Sequence, residues 1–243
     1  MSIYGNPVML GGSGGGGSIQ PLVVLQNGIY TASGSIAGYS PVCVLVNVLS
    51  VKYLSIIGQY TFPDDGVYAI CAVIDGTSAS EISYSLSGAT LIKEKSQQAV
   101  QSTWAGWCLG VVCSAQAGDS ITVSGTGVNR SVMTVVALSS IATDISDITM
   151  SVGKDSAVTL QKTITDSYVF CASGTTGDDS IPSSSITVTG LSTELYNQTR
   201  TPVKSHTCGI YSGSGDITGS AQGTSYATNY VMMFEFSLVP TIS

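Results

Sequence analysis

The side chains able to do chemistry are few: one histidine, His206, the adjacent carboxylate pairs Asp64-Asp65 and Asp178-Asp179, and six cysteines. A single histidine excludes a site built from several imidazoles, and a Ser/His/Asp triad would have to be assembled around His206 alone. Beside a cysteine in a strand-like stretch, that histidine is expected to be packing or surface. Both carboxylate pairs lie in glycine-flanked stretches, DDG (64–66) and TGDD (176–179). Asp is favoured there because its side chain caps the local backbone, so turns are expected. A glycosidase pair or a calcium loop is the alternative use, and no EF-hand spacing supports the second. Cys108 and Cys113 form an isolated C-x4-C without a second pair at zinc-ligand distance. The glycine run GGSGGGGS (11–18) lacks the Lys and following helix of a phosphate-binding loop and reads as a linker. The expectation is a protein without catalytic residues, cofactor or metal.

Composition points the same way. Charged residues are 9% of the 243, hydrophobic residues 43%, glycine numbers 28, and the formal charge is −7. No Lys/Arg cluster exists to neutralise phosphates, so nucleic-acid binding is not expected. So little charge leaves much surface to be covered by protein, which predicts a homo-oligomer or larger assembly. No signal peptide is visible, and the longest apolar run, around residues 42–49, is too short to span a bilayer. A cytoplasmic origin in turn predicts buried thiols rather than disulfides, with Cys71–Cys108 and Cys171–Cys208 on facing strands as the alternative.

An internal repeat supplies the frame. Tyr68-Ala-Ile-Cys71-Ala72 recurs as Tyr168-Val-Phe-Cys171-Ala172, and Cys108 in GWCLGVV recurs as Cys208 in HTCGIYS. AGDSITVSG (117–125) then matches SGDITGSAQ (214–222), and SVMTVVALS (131–139) matches YVMMFEFSL (230–238). ISYSLSG (82–88) and SITVTGL (185–191) alternate in the period-two pattern of half-buried strands. VYAICAVID (67–75), WCLGVVCSA (107–115) and YVMMFEFSLV (230–239) are denser and predict central strands. The fold class is therefore all-β, with two homologous antiparallel β-sandwiches, immunoglobulin-like or jelly-roll, over 52–141 and 146–243. Exposed aromatics on such sandwiches can stack on sugar rings, which makes Trp104, Tyr196 and Tyr226 candidate glycan contacts, whereas Trp107 should turn into the core.

Residues 21–48, PLVVLQNGIYTASGSIAGYSPVCVLVNV, carry the pattern P-L-x-V-x-x-N-G-x-Y-T followed by G-Y-S-P-V-x-V-x-V. This segment resembles one recurring in structural proteins of tailed bacteriophages and prophages of Gram-positive hosts. Leu25, Gln26, Ile29 and Cys43 depart from it. The resemblance implies a virion protein of tail fibre, baseplate or other appendage, made in the host cytoplasm, with other virion proteins and a homotrimer of itself as partners. A head fibre or capsid decoration protein is the runner-up; a module binding host cell-surface polysaccharide is a third reading. Residues 1–18 are expected to be an anchoring arm and linker, with Ile3, Tyr4, Val8 and Met9 as contacts. Residues 19–51 are expected to be a β-hairpin oligomerisation collar. There Asn27-Gly28 supplies the turn, and Tyr30, Tyr39, Pro41 and Val44 the interface.

Overall fold

A computed structural model describes residues 20–25, 29–33, 42–48, 54–76, 81–99, 105–128, 130–137, 144–176, 185–188, 196–200, 204–222 and 227–237. The expected all-β class holds: all regular structure among them is strand. The first ten strands are β1 (Gln20–Leu25), β2 (Ile29–Ser33), β3 (Val42–Val48), β4 (Leu54–Thr61), β5 (Gly66–Gly76), β6 (Ser83–Ser87), β7 (Thr90–Ala99), β8 (Ala105–Ala115), β9 (Ser120–Val128) and β10 (Arg130–Ala137). They form a sheet in the order β1-β2-β3-β10-β5-β8-β7 and a smaller one, β4-β9-β6. The remaining strands are β11 (Asp144–Lys154), β12 (Val158–Thr176), β13 (Ser185–Val188), β14 (Tyr196–Arg200), β15 (Lys204–Ala221) and β16 (Thr228–Ser237). Their order is β11-β16-β12-β15-β13, with β14 also on β15.

The two halves repeat one topology. In the first, β3-β10-β5-β8-β7 is covered by β4-β9-β6; in the second, β11-β16-β12-β15-β14 is covered by the outer parts of β12 and β15 with β13. How the chain passes between layers differs. In the first half it turns two corners, 62–65 and 116–119, stitched by Phe62 N–H donating to Asp119 O (2.8 Å) and Gly118 N–H to Phe62 O (2.9 Å). In the second half, β12 and β15 run through without interruption and bend together. The bend falls at a register shift between Ile164 and Ser167, opposite Gly215, whose φ is 140°. Close approach of the layers needs glycine at 219, because a Cβ there would lie 2.4 Å from Val231 Cγ1.

Both faces of the central strands are apolar because both are covered. In the first half Tyr68, Ile70, Ala72 and Ile74 of β5 pack with Leu109, Val111 and Met133 against Phe62, Ile121 and Val123 of the covering layer. The alternate residues of β5, Val67, Ala69, Cys71 and Val73, pack with Cys108 and Val112 against the other half. Ile145, Ile148, Met150, Phe170, Ala172, Met232, Phe234 and Phe236 meet them there. The halves are thus joined by a core of their own, with Phe170 and Phe234 at a ring-centroid distance of 5.3 Å. A third core lies within the second half, around Val169, Cys171, Ile217 and Met233. Across the seam, β5 touches β12 and β16, β12 also touches β10, and β7 and β8 touch β11.

Three sequence expectations need correction. Cys71 and Cys108 are on neighbouring strands of one sheet, opposite Gly110 and Val73 respectively, and not on facing sheets; both are free thiols. Cys71 and Cys171, matched at a spacing of one hundred positions, point to different cores, since the structural match is offset by one residue: Met133 pairs with Ala72, whereas Met233 pairs with Cys171. The third concerns the first boundary. β3 pairs with β10 along its whole length, from Val42 opposite Ala137 to Val48 opposite Ser131. The main sheet therefore runs across residue 51, and β3 holds the place that β11 holds in the second half.

Candidate functional site

Of the pair Asp64-Asp65, Asp65 shows the expected side-chain capping, and Asp64 takes part through its main-chain carbonyl. Asp65 Oδ1 accepts from Ala117 N–H at 2.9 Å, Tyr68 Oη donates to Asp64 O at 2.7 Å, and Asp119 Oδ2 accepts from Gln116 N–H at 2.7 Å. Burial is the largest cause of the rise in the Tyr68 hydroxyl pKa, to about 12. Asp65 and Asp119 thus each place one carboxylate oxygen on a backbone N–H at the corners, the capping role that turn aspartates play. Gly88 completes this end of the molecule: its φ is +85°, and a Cβ would sit 1.9 Å from Asp119 Oδ1. Among the described residues, no three His, Cys, Asp or Glu side chains gather into a metal-binding group.

A groove of about 520 Å³ lies where β6 and β7, strands of different layers, diverge. Ile82 and Leu109 lie among its lining, Tyr84, Glu81 and Glu94 supply polar groups, and Lys95 also lines it while its ammonium donates to Ile148 O on the other side of β7. The alternating exposure of β6 leaves Tyr84 and Leu86 half-buried between exposed serines. Tyr84 Oη donates a short hydrogen bond to Glu94 Oε2. Burial, and then this bond, push the Tyr84 hydroxyl well above its usual range, so it holds its proton and acts as a fixed donor. The arrangement offers an aromatic ring and a carboxylate held in place: recognition groups for a polar ligand, without a nucleophile–base pair.

Sequence-expected site residues fall differently. Tyr30 is on β2 opposite Leu45, and Val44 is on β3 between Thr31 and Val135, so both belong to one continuous sheet. Val24 pairs with Tyr30 and Leu25 with Ile29, which makes β1 and β2 the hairpin expected around Asn27-Gly28. Tyr196 is on β14 opposite Cys208, and His206 is on β15 opposite Gly174 and Gln198. Ile3, Tyr4, Val8, Met9, Asn27, Gly28, Tyr39, Pro41, Trp104, Tyr226 and Asp178-Asp179 lie outside the described residues. Trp107 does pack against the first covering-layer core. Tyr84 and Glu94 were missed because their meeting depends on how β6 and β7 part; the Ser/Tyr alternation of ISYSLSG was the one available signal.

Comparison with family models, curated proteins and solved structures yields no match.

Proposed function

We propose that the chain is a non-enzymatic structural protein of a tailed-phage particle, an oligomeric surface appendage of tail or baseplate. The observation that carries this reading is the N-G-x-Y-T and G-Y-S-P-V-x-V pattern of residues 21–48. Its strands β1, β2 and β3 continue the main sheet of the first half, which suits a segment that ties an N-terminal anchor to a rigid body. Residues 1–10 attach the protein through Ile3, Tyr4, Val8 and Met9; the collar surfaces at Tyr30 and Tyr39 join three subunits; the paired β layers face outward. A head fibre or capsid decoration protein is the same reading at another place on the particle.

Mass spectrometry of gradient-purified particles, followed by gold labelling of a tag at residue 243, tests this. The expected outcome is stoichiometric presence and gold at the tail tip. Gold on the head selects the decoration protein, and absence from particles sinks the proposal. Light scattering on the isolated chain should give a mass near three times 24.9 kDa.

A second reading rests on the Tyr84–Glu94 groove: binding of host cell-surface polysaccharide. Adsorption of the purified protein to host cells, reduced about tenfold or more by Tyr84→Ala with unchanged circular dichroism, is its expected result. Adsorption indifferent to Tyr84 but lost on Trp104→Ala would move the contact to the residue expected from sequence.

A further inference from the structure

Strand β7 sorts its charges by face. Lys93 and Lys95 stand opposite Val112 and Gly110 of β8, which border the second half, whereas Glu94 stands opposite Val111, part of the core under the covering layer. Successive strand residues point to opposite faces, so Lys-Glu-Lys puts both cations on one side and the carboxylate on the other. The bonds agree. Lys93 Nζ donates to Ser146 O at 2.9 Å and Lys95 Nζ to Ile148 O at 3.1 Å, both on β11, while Glu94 Oε2 accepts from Tyr84 Oη of β6. Among the residues lining the groove between β6 and β7, the charged ends left to face it are therefore carboxylates: Glu94 on one wall and the exposed Glu81, just ahead of β6, on the other. Ser96 adds a hydroxyl, and the Tyr84 ring, fixed by its hydrogen bond, adds an aromatic surface. The formal charge of the whole chain, −7, has the same sign as the groove.

We infer that this groove takes a saccharide bearing a primary ammonium group, an inference that rests on the polysaccharide reading of the same site given above. A carboxylate beside an aromatic ring suits an ammonium, because the anion accepts a charge-assisted hydrogen bond and the ring offers its negative face. An anionic polymer would meet two carboxylates on a chain of net negative charge and be repelled. A neutral sugar gains the ring and the hydroxyl but no attraction of charge, so the amine is what the groove selects. Two sources satisfy this chemistry: an amino sugar without its acyl group, and an aminoacyl ester on a sugar or polyol.

Titration calorimetry on the full chain at low salt compares a glucosamine tetramer with its N-acetylated counterpart, which lacks the amine charge. The glucosamine tetramer should bind about tenfold or more tighter. Glu94→Gln keeps the shape and an acceptor for Tyr84 but removes the charge, and should cut that advantage to about twofold or less. Glu81→Gln, at an exposed position, should reduce it as well. Equal affinity for the two tetramers, binding of neither, or a preference that both Gln variants retain overturns the inference. The polysaccharide reading is judged apart from it, by whether adsorption to host cells needs Tyr84: where it does, that reading survives any of those three results, and where it does not, both fall. Treatment of host walls separates the sources of the amine. Adsorption lost after mild base, which strips aminoacyl esters, assigns the ester, and adsorption lost only when the remaining amines are acetylated assigns the amino sugar. Tyr84-dependent adsorption that survives both treatments overturns the inference.

Discussion

Lys162 is a clear case of one side chain resolving a conflict its neighbours create. Asp147 of β11 and Glu235 of β16 stand directly opposite one another, a like-charged pair that would destabilise the ladder. Lys162 Nζ reaches both, 2.8 Å from Asp147 Oδ2 and 2.6 Å from Glu235 Oε2. The hydrogen bond from Lys162 is the main reason the Asp147 carboxyl titrates below its ordinary 3.8. For Lys162 burial works against the charge, but the two carboxylates outweigh it and hold its pKa above 10.5. Asp147 therefore contributes stability above pH 3.8 that fades as pH falls through its lowered folded value, and Lys162 contributes below pH 10.5. Because Asp147 is 43% exposed, its share is under about 1 kcal/mol. Urea unfolding of Asp147→Asn should show less loss of stability between pH 5 and pH 2 than wild type. Lys162→Met, leaving two carboxylates face to face, should cost more at pH 7, about 1–2 kcal/mol. The thiols give a second prediction at this scale. Burial pushes Cys113 up to about 12, and Cys108 and Cys171 higher still, so these three and buried Cys71 should resist a thiol reagent until the chain unfolds. Turn-capping by Asp65 was legible from the DDG stretch; Lys162 was not, because nothing local to residue 162 announces strands near 147 and 235.

Elements were the most legible level. The dense runs at 67–75, 107–115 and 230–239 became β5, β8 and β16, each flanked on both sides, and ISYSLSG became the half-buried β6. What the pattern did not reveal was phase. A strand covered on both faces has no polar face to mark its register, so the repeat matched Cys71 to Cys171 although they serve different cores. Nor did the pattern show that β8 must thin its seam face to receive the other half. A Cβ at Gly106 would meet Thr228 Cγ2 at 2.6 Å, and Gly110 sits against Ile148 and Phe234. Gly106→Val should therefore destabilise by about 1–3 kcal/mol. By calorimetry that lowers the melting temperature by about 2–4 °C per kcal/mol, although valine favours strands.

At the scale of the whole molecule, the seam core makes the two halves one unfolding unit. Thermal and denaturant unfolding should show a single transition by near- and far-ultraviolet circular dichroism. Phe234→Ala, emptying space beside Phe170, should lower the stability of that one transition by about 3–5 kcal/mol. Two separate transitions would mean that the halves melt independently. Face-to-face burial was not visible in the sequence, since a strand apolar on both faces looks the same whether its second cover is another layer, another subunit or another part of the chain. Covalent linkage has a further consequence for the seam. Two identical subunits meeting on a two-fold axis must match every residue to itself, so no change can be made on one side without repeating it on the other. Joined end to end in one polypeptide, the two sides are released from that constraint. One side turns Cys71 toward its partner while Cys171 turns away, and one edge carries a lysine pair while β14, in the corresponding place, reads Tyr-Asn-Gln-Thr-Arg. The seam is free to differ on its two sides.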